Sequence, residues 1–316
     1  MKNHSNKSIV SPLGILGFSA SVIFSSFSGN QAKAMEQYLC PESGSENATI
    51  DYINNLDSSE TDWGNCLTTP DKFELTIYEM GLCTSDPITG SKGTKAWDKT
   101  TCTTTMISTN GITVDLAPGD SASKEAVLPS SATRPPSNTY THAFILISNK
   151  FTLKGSYTLA DGTRYYSTQG EDEWGLYGKP VVGSAPAQDH GEELDQIGGE
   201  DEELGWTVGD SSEMPYTTMT GGGKVAAILL KNCDHINNQC IGTTPKVANK
   251  AEPEKLFAVF ETNSGNPVVI SDSTQGLEVE LSVKDVGYSV GTSSYGESGS
   301  ITFFGSAPFK PKFTTF

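Results

Sequence analysis

A two-residue alternation of apolar and polar side chains recurs along most of this sequence and sharply limits what it can form. Over residues 72–80, Phe73, Leu75 and Ile77 alternate with Glu74, Thr76 and Tyr78. Ile112, Val114 and Leu116 repeat the pattern, and Leu277, Val279, Leu281 and Val283 alternate with Glu278, Glu280 and Ser282. This is the period of a strand buried on one face. Further strands are expected at 224–230, 256–261, 268–270 and 301–304. Residues 141–147 are apolar on both faces (Ala143, Ile145 and Ile147 against Phe144 and Leu146), which predicts a central strand. Asn149-Lys150 then reads as a tight turn into Phe151, Leu153, Tyr157 and Leu159, giving a hairpin. One helix is expected at 46–56, with Ile50 and Ile53 at helical spacing. The fold class is all-β: a disulfide-stapled antiparallel β-sandwich of one large or two smaller lobes, with a long acidic insertion.

Ahead of the strands lies a segment of a different kind. Lys2, His4 and Lys7 give a positive start, residues 13–27 a modestly apolar stretch, and Ala32-Lys33-Ala34 a small-residue cleavage site. Residues 1–34 therefore read as a cleaved signal peptide, which places the mature protein at the cell surface, outside the cell or in a periplasm. A lipoprotein signal is excluded because Gln37-Tyr38-Leu39 precede Cys40. A pilin-type junction at Gly17-Phe18 is the rival, but its apolar run stops at Ser28-Gly29-Asn30. A membrane-spanning helix needs about 20 apolar residues, and this Ser-rich stretch is shorter.

The leader holds three of the 21 Lys and Arg and none of the 38 Asp and Glu, so its removal takes the net charge from −17 to −20. A surface of that sign repels nucleic acid and anionic lipid, and excludes them as partners. Cys40, Cys66, Cys83, Cys102, Cys233 and Cys240 all lie after the leader. An even set in an exported protein implies disulfides. Proximity favours Cys40–Cys66, Cys83–Cys102 and Cys233–Cys240, each contributing roughly 2–4 kcal/mol. No C-x-x-C and no matching His pair suggests zinc.

Between an N-terminal β lobe (35–169) and a C-terminal β-rich part (218–316), which would complete the same sandwich or form its own, lies an acidic insertion (170–217). Residues 170–213 hold thirteen carboxylates against a single Lys, Lys179. With scattered Gly and Pro, this composition predicts a long loop. Clustered carboxylates are what calcium requires, making Asp189, Glu192, Glu193, Asp195, Glu200 and Asp201 the candidate ligands, although no EF-hand spacing is present. Trp174, Tyr177 and Trp206 beside these acids form a candidate glycan platform, the competing role being to anchor the insertion by burial. No other cofactor is implied.

Catalytic patterns do not survive inspection. Gly287-Tyr288-Ser289-Val290-Gly291 matches G-x-S-x-G, but no helix follows and the last His, His235, lies upstream. His142 falls in the most apolar strand, His190 in the acidic insertion and His235 between two cysteines. The tail, residues 309–316, is interrupted by Lys310, Pro311 and Lys312, unlike a lipid-facing strand. It reads as a flexible tail or as an edge strand that pairs with a neighbouring subunit.

The order of the strand at 73–78, then Val114-Asp115-Leu116, then Tyr140 to Ile147 running into 151–157 resembles the prealbumin-like β-sandwich domains of secreted bacterial surface proteins. The resemblance covers residues 72–160, with Pro135-Pro136-Ser137-Asn138 standing where that family has a tight glycine turn. It implies a binding or structural module and transfers no site residues. The expected function is a non-catalytic structural or surface protein, self-assembling into a filament or layer. The alternatives are an extracellular glycan- or calcium-binding module and a secreted hydrolase.

Overall fold

Thirteen consecutive residues, His142–Lys154, form the spine of the molecule. The computed structural model describes residues 38–56, 63–89, 96–117, 133–171, 178–194, 213–219, 223–234, 239–242, 254–293 and 299–316. In sequence order the elements are α1 (Ile50–Asn54), β1 (Trp63–Thr68), β2 (Lys72–Cys83), β3 (Ile88–Thr89), β4 (Ala96–Trp97), β5 (Cys102–Asp115), β6 (Asn138–Tyr140), β7 (His142–Lys154), β8 (Ser156–Thr158), β9 (Arg164–Glu171), β10 (Gly178–Val182), β11 (His190–Glu193), β12 (Glu213–Thr218), β13 (Lys224–Asp234), β14 (Gln239–Gly242), β15 (Lys255–Glu261), β16 (Val268–Ile270), β17 (Leu277–Ser282), β18 (Tyr288–Ser293), β19 (Ser300–Ser306) and β20 (Lys310–Thr315). A 3-10 turn occupies Thr262–Gly265.

Two antiparallel sheets make a sandwich. One runs β1-β18-β19-β10-β9-β8 and the other β12-β13-β15-β7-β2-β5, with β11 beside β7 and β14 beside β13. Both draw strands from before residue 170 and from after residue 217. Phe73, Leu75, Ile77, Ile147 and Leu153 of the larger sheet share one core with Tyr157, Val290, Ile301 and Phe304 of the smaller. Fully burying one such residue stabilises the fold by roughly 1.5–3 kcal/mol, so this interface dominates the folding energy. The outer face of the larger sheet is apolar too: Phe144, Leu146, Ile228, Leu230, Phe257 and Val259 form a second cluster. Burial on both faces explains why β7 reads as a continuous apolar run.

The turn expected at Asn149-Lys150 does not form. β7 passes straight through it, and the register against β2 jumps from Ile77↔Ile147 to Leu75↔Phe151. The excess residues on β7 make a bulge. At this point β7 changes its other neighbour from β15, which ends at Lys255↔Ser148, to β11, which begins at Glu193↔Lys150. The buried Asn149 carboxamide donates to the carbonyl of Leu194 at 3.1 Å. A local turn signal is thus absorbed by a bulge that tertiary pairing holds open. The helix is also shorter than expected: Thr49 caps it by accepting the Tyr52 N–H, and it ends at Asn54 with Ile53 buried.

Within the acidic insertion, residues 178–182 and 190–193 are strands in the smaller and larger sheets, and residues 183–189 connect them. Two expected disulfides are present, Cys40–Cys66 and Cys83–Cys102. Cys233 and Cys240 sit on β13 and β14, and their thiols fall outside the described side chains.

The N-terminal segment closes the smaller sheet at both margins. Leu67 of β1 donates to the Tyr38 carbonyl and accepts from the Cys40 N–H, at 2.7 and 2.8 Å. Farther on, Gly44 N–H reaches the carbonyl of Thr158 on β8 at 2.8 Å, and the Ser43 hydroxyl accepts the Thr158 N–H. Covered margins block strand addition by a second molecule.

The tail also belongs to the molecule's own fold rather than hanging free. β20 pairs with β17 from Leu277↔Thr315 to Ser282↔Lys310, and Phe313 packs among Leu82, Tyr140, Ala143 and Val268. Asn263, in the left-handed region at φ 43°, acts as a side-chain rung. Its amide donates to the Phe313 carbonyl and accepts the Phe313 N–H, both at 3.1 Å. Asn263→Ala leaves both backbone groups unmet and is expected to cost about 1–2 kcal/mol in urea unfolding. An unchanged midpoint would show that the rung contributes nothing.

Candidate functional site

The acidic stretch enters the described structure as β11, and strand geometry sorts its side chains. Along β11, His190 and Glu192 are buried whereas Gly191 and Glu193 are exposed. Asp189 lies on the outside, 2.8 Å from Lys72 Nζ and 3.9 Å from Lys154 Nζ. Its hydrogen bond is the chief reason the Lys72 ammonium titrates above its ordinary range. Glu193 pairs with Lys150 at 3.0 Å in an exposed contact, worth about 0–1 kcal/mol. Glu192 points inward, where its carboxylate accepts the Ser306 N–H at 2.6 Å and the Ser306 hydroxyl at 2.7 Å. The calcium candidates Asp189, Glu192 and Glu193 therefore diverge across two faces of one strand. Among the described residues no group of three or more acids, His or Cys converges to hold a metal. Asp195, Glu200, Asp201, Trp174, Tyr177 and Trp206 lie outside the described residues.

The inward residues of β11 tie the two sheets together. His190 Nε2 lies 3.1 Å from the Tyr288 hydroxyl on β18, while Glu192 reaches Ser306 on β19. Gly178 of β10 underlies the imidazole so closely that a Cβ there would sit 2.6 Å from its ring carbons. Burial lowers the His190 pKa to about 4, against the opposing pull of the Gly191 backbone and the Asp189 charge. Burial likewise pushes the Tyr288 phenol well above its usual range. A neutral imidazole and a neutral phenol share a hydrogen bond between the sheets, shielded from solvent. The adjoining apolar cleft between Phe73, Phe151, Phe260 and Phe309 has about 30 Å³ of space, room for about two waters.

A second polar cluster lies on the opposite face of the larger sheet. Phe73, Leu75 and Ile77 point into the sandwich, and unbroken alternation would send Glu79 there as well. A register shift between Ile77 and Glu79 inverts the phase of β2, so that Met80 joins the inner core instead. Glu79 turns outward yet is fully buried, with Lys99 and Thr104 closing on its carboxylate. Its Oε1 accepts from Lys99 Nζ and from the Thr104 hydroxyl, both at 2.5 Å. Trp97 of β4 stacks on Phe257 at 4.2 Å between ring centres and meets Phe144 at 5.5 Å. Lys99 Nζ lies 4.7 Å from the centre of the Trp97 ring. Glu79 Oε2 and Trp97 Nε1 have no hydrogen-bond partner among the described residues. Disulfide, aromatic stack and buried ion pair together clasp residues 96–102 as a flap over the outer apolar face.

Sequence reasoning missed both clusters. Glu79 did carry a signal: it is a carboxylate on the apolar phase of a strand. The His190–Tyr288 contact joins residues 98 apart, and nothing local marks it. Ser289 of the G-x-S-x-G match lies within β18, buried, its hydroxyl donating to Asn65 Oδ1 at 2.6 Å. His142 opens β7, with Nδ1 2.9 Å from the Thr141 hydroxyl. His235 lies outside the described residues. No described helix is long and apolar enough to cross a membrane. No family model, no curated protein and no solved structure matches this protein.

Proposed function

We propose that this is an exported, non-catalytic structural protein of the cell surface or extracellular space that assembles with copies of itself. The observation that carries this reading is where the fold invests its chemistry. Two disulfides and an N-terminal strap lock the sandwich. The buried groups His190, Glu192 and Glu79 are engaged in holding layers together. Such a build suits a rigid module in an oxidising exterior. Assembly is expected at the margin of the larger sheet, because the strap covers both margins of the smaller one. There β5 has no charged residue from Cys102 to Val114.

Negative-stain microscopy of the exported material tests the reading, with filaments or sheets as the expected result. Thr109→Lys with Thr113→Lys, which charges the β5 margin, should disperse them. A monomer by light scattering at every concentration would overturn the assembly. Retention on a glycan array would replace the reading with a binding module, and turnover in a broad hydrolase panel with an enzyme.

A further inference from the structure

The margin of the larger sheet carries a pronounced irregularity. Between Ile77↔Ile112 and Glu79↔Ile107 the β2–β5 register jumps, so Ser108, Thr109, Asn110 and Gly111 of β5 stand opposite the single residue Tyr78. Asn110 is exposed and lies on the marginal strand. The next residue has to be glycine: Gly111 has φ 75°, and a Cβ there would collide with the Thr76 side chain and press on the Tyr78 ring. A larger residue after Asn110, which would shield its carboxamide from the following backbone nitrogen, is thus forbidden by the fold. Asn110-Gly111 is the one Asn-Gly pair in the sequence.

We infer that Asn110 is a site of spontaneous backbone-directed deamidation. The amide nitrogen of Gly111, on losing its proton, attacks Cγ of Asn110. A new C–N bond forms, the C–N bond of the carboxamide breaks, and the leaving nitrogen departs as ammonia with that proton restored by solvent. The resulting succinimide takes up one water, which opens either carbonyl to give aspartate or isoaspartate at position 110. No oxidant, reductant or metal takes part. Four residues bulging opposite one leave Ser108 to Gly111 outside the rungs that pair β5 with β2, so no β2 rung opposes the cyclic geometry. The product places a negative charge, and in the isoaspartate an extra backbone methylene, on a stretch that is uncharged from Cys102 to Val114. Ageing at Asn110 would therefore loosen β5 locally and discourage strand addition there. The chemistry does not depend on the proposed assembly.

The test is peptide mapping of the intact folded protein aged at mildly alkaline pH, with isoaspartate methyltransferase as a second readout. Replacement of the carboxamide NH2 by OH is expected at Asn110 several-fold faster than at exposed Asn47, which precedes Ala48, and faster as pH rises. Asn110→Gln should remove the methyltransferase signal from the peptide that contains position 110 while leaving the unfolding midpoint unchanged. The inference is overturned if Asn110 converts no faster than Asn47 in the folded protein, or if it reacts only after unfolding in urea.

Discussion

Replacing Lys99 by Met is expected to lower stability by about 3–5 kcal/mol, the usual cost of leaving a buried carboxylate without its counter-charge. Glu79 is fully buried and the Lys99 side chain is only 16% exposed, so solvent does little to compensate. The methionine retains most of the aliphatic stem beside Trp97 but loses the cation over the ring. Glu79→Leu in the same protein removes the orphaned charge and should restore most of the loss, because an apolar pair of similar volume is often as stable as a buried ion pair. Urea unfolding of both single variants and the double variant checks this. Acrylamide quenching, compared with a Trp97→Phe reference, reports whether the flap has lifted. If Lys99→Met shifts stability by less than about 1 kcal/mol, the size of an exposed pair, the clasp does not hold as described.

Acid is expected to weaken the sandwich through His190. Its folded pKa lies near 4, against about 6.5 in the unfolded state. Above pH 6.5 the imidazole is neutral in both states and folding is indifferent to it. As pH falls from 6.5 toward 4, the unfolded state takes up a proton that the buried ring refuses, and stability drops throughout that window. Below pH 4 the folded state is protonated too and the loss stops growing. The full loss is about 3 kcal/mol, from roughly 1.4 kcal/mol per pKa unit. His190→Gln can still meet the Tyr288 hydroxyl but does not titrate. Between pH 7 and 4 the natural protein should therefore lose about 3 kcal/mol more than the variant. Parallel stability curves would show that His190 does not couple acid to unfolding.

How much of this was legible depended on whether the signal was local. The strands at 72–80 and 277–283 were, because period-two alternation is imposed by burying one face, whereas 256–261 and 268–270 were legible as short apolar runs. Cys83–Cys102 was legible from proximity in the sequence, and the structure makes the two direct cross-strand neighbours. The Asn149-Lys150 turn was misread: a bulge and a turn use similar residues, and only the hand-over of β7 from β15 to β11 selects the bulge. Glu79 was missed for the same class of reason. Alternation predicts the direction of a side chain only while no residue is inserted, and the shift after Ile77 reverses it. Among the acids, sequence proximity suggested convergence, whereas alternation along β11 sent Glu192 inside and left Asp189 and Glu193 outside.

Composition and short-range periodicity suffice for an all-β protein, rich in antiparallel strand pattern, strongly acidic and supplied with cysteines at pairing distance. They do not suffice for the order of strands in the two sheets or the closing of the smaller sheet's margins by residues 38–48. Nor do they reach the internal docking of the tail or the interior placement of His190, Glu192 and Glu79. Each of these rests on contacts between residues far apart in sequence. Their energy comes from burial and hydrogen bonding that exist only once the layers have met, and no local stretch encodes them.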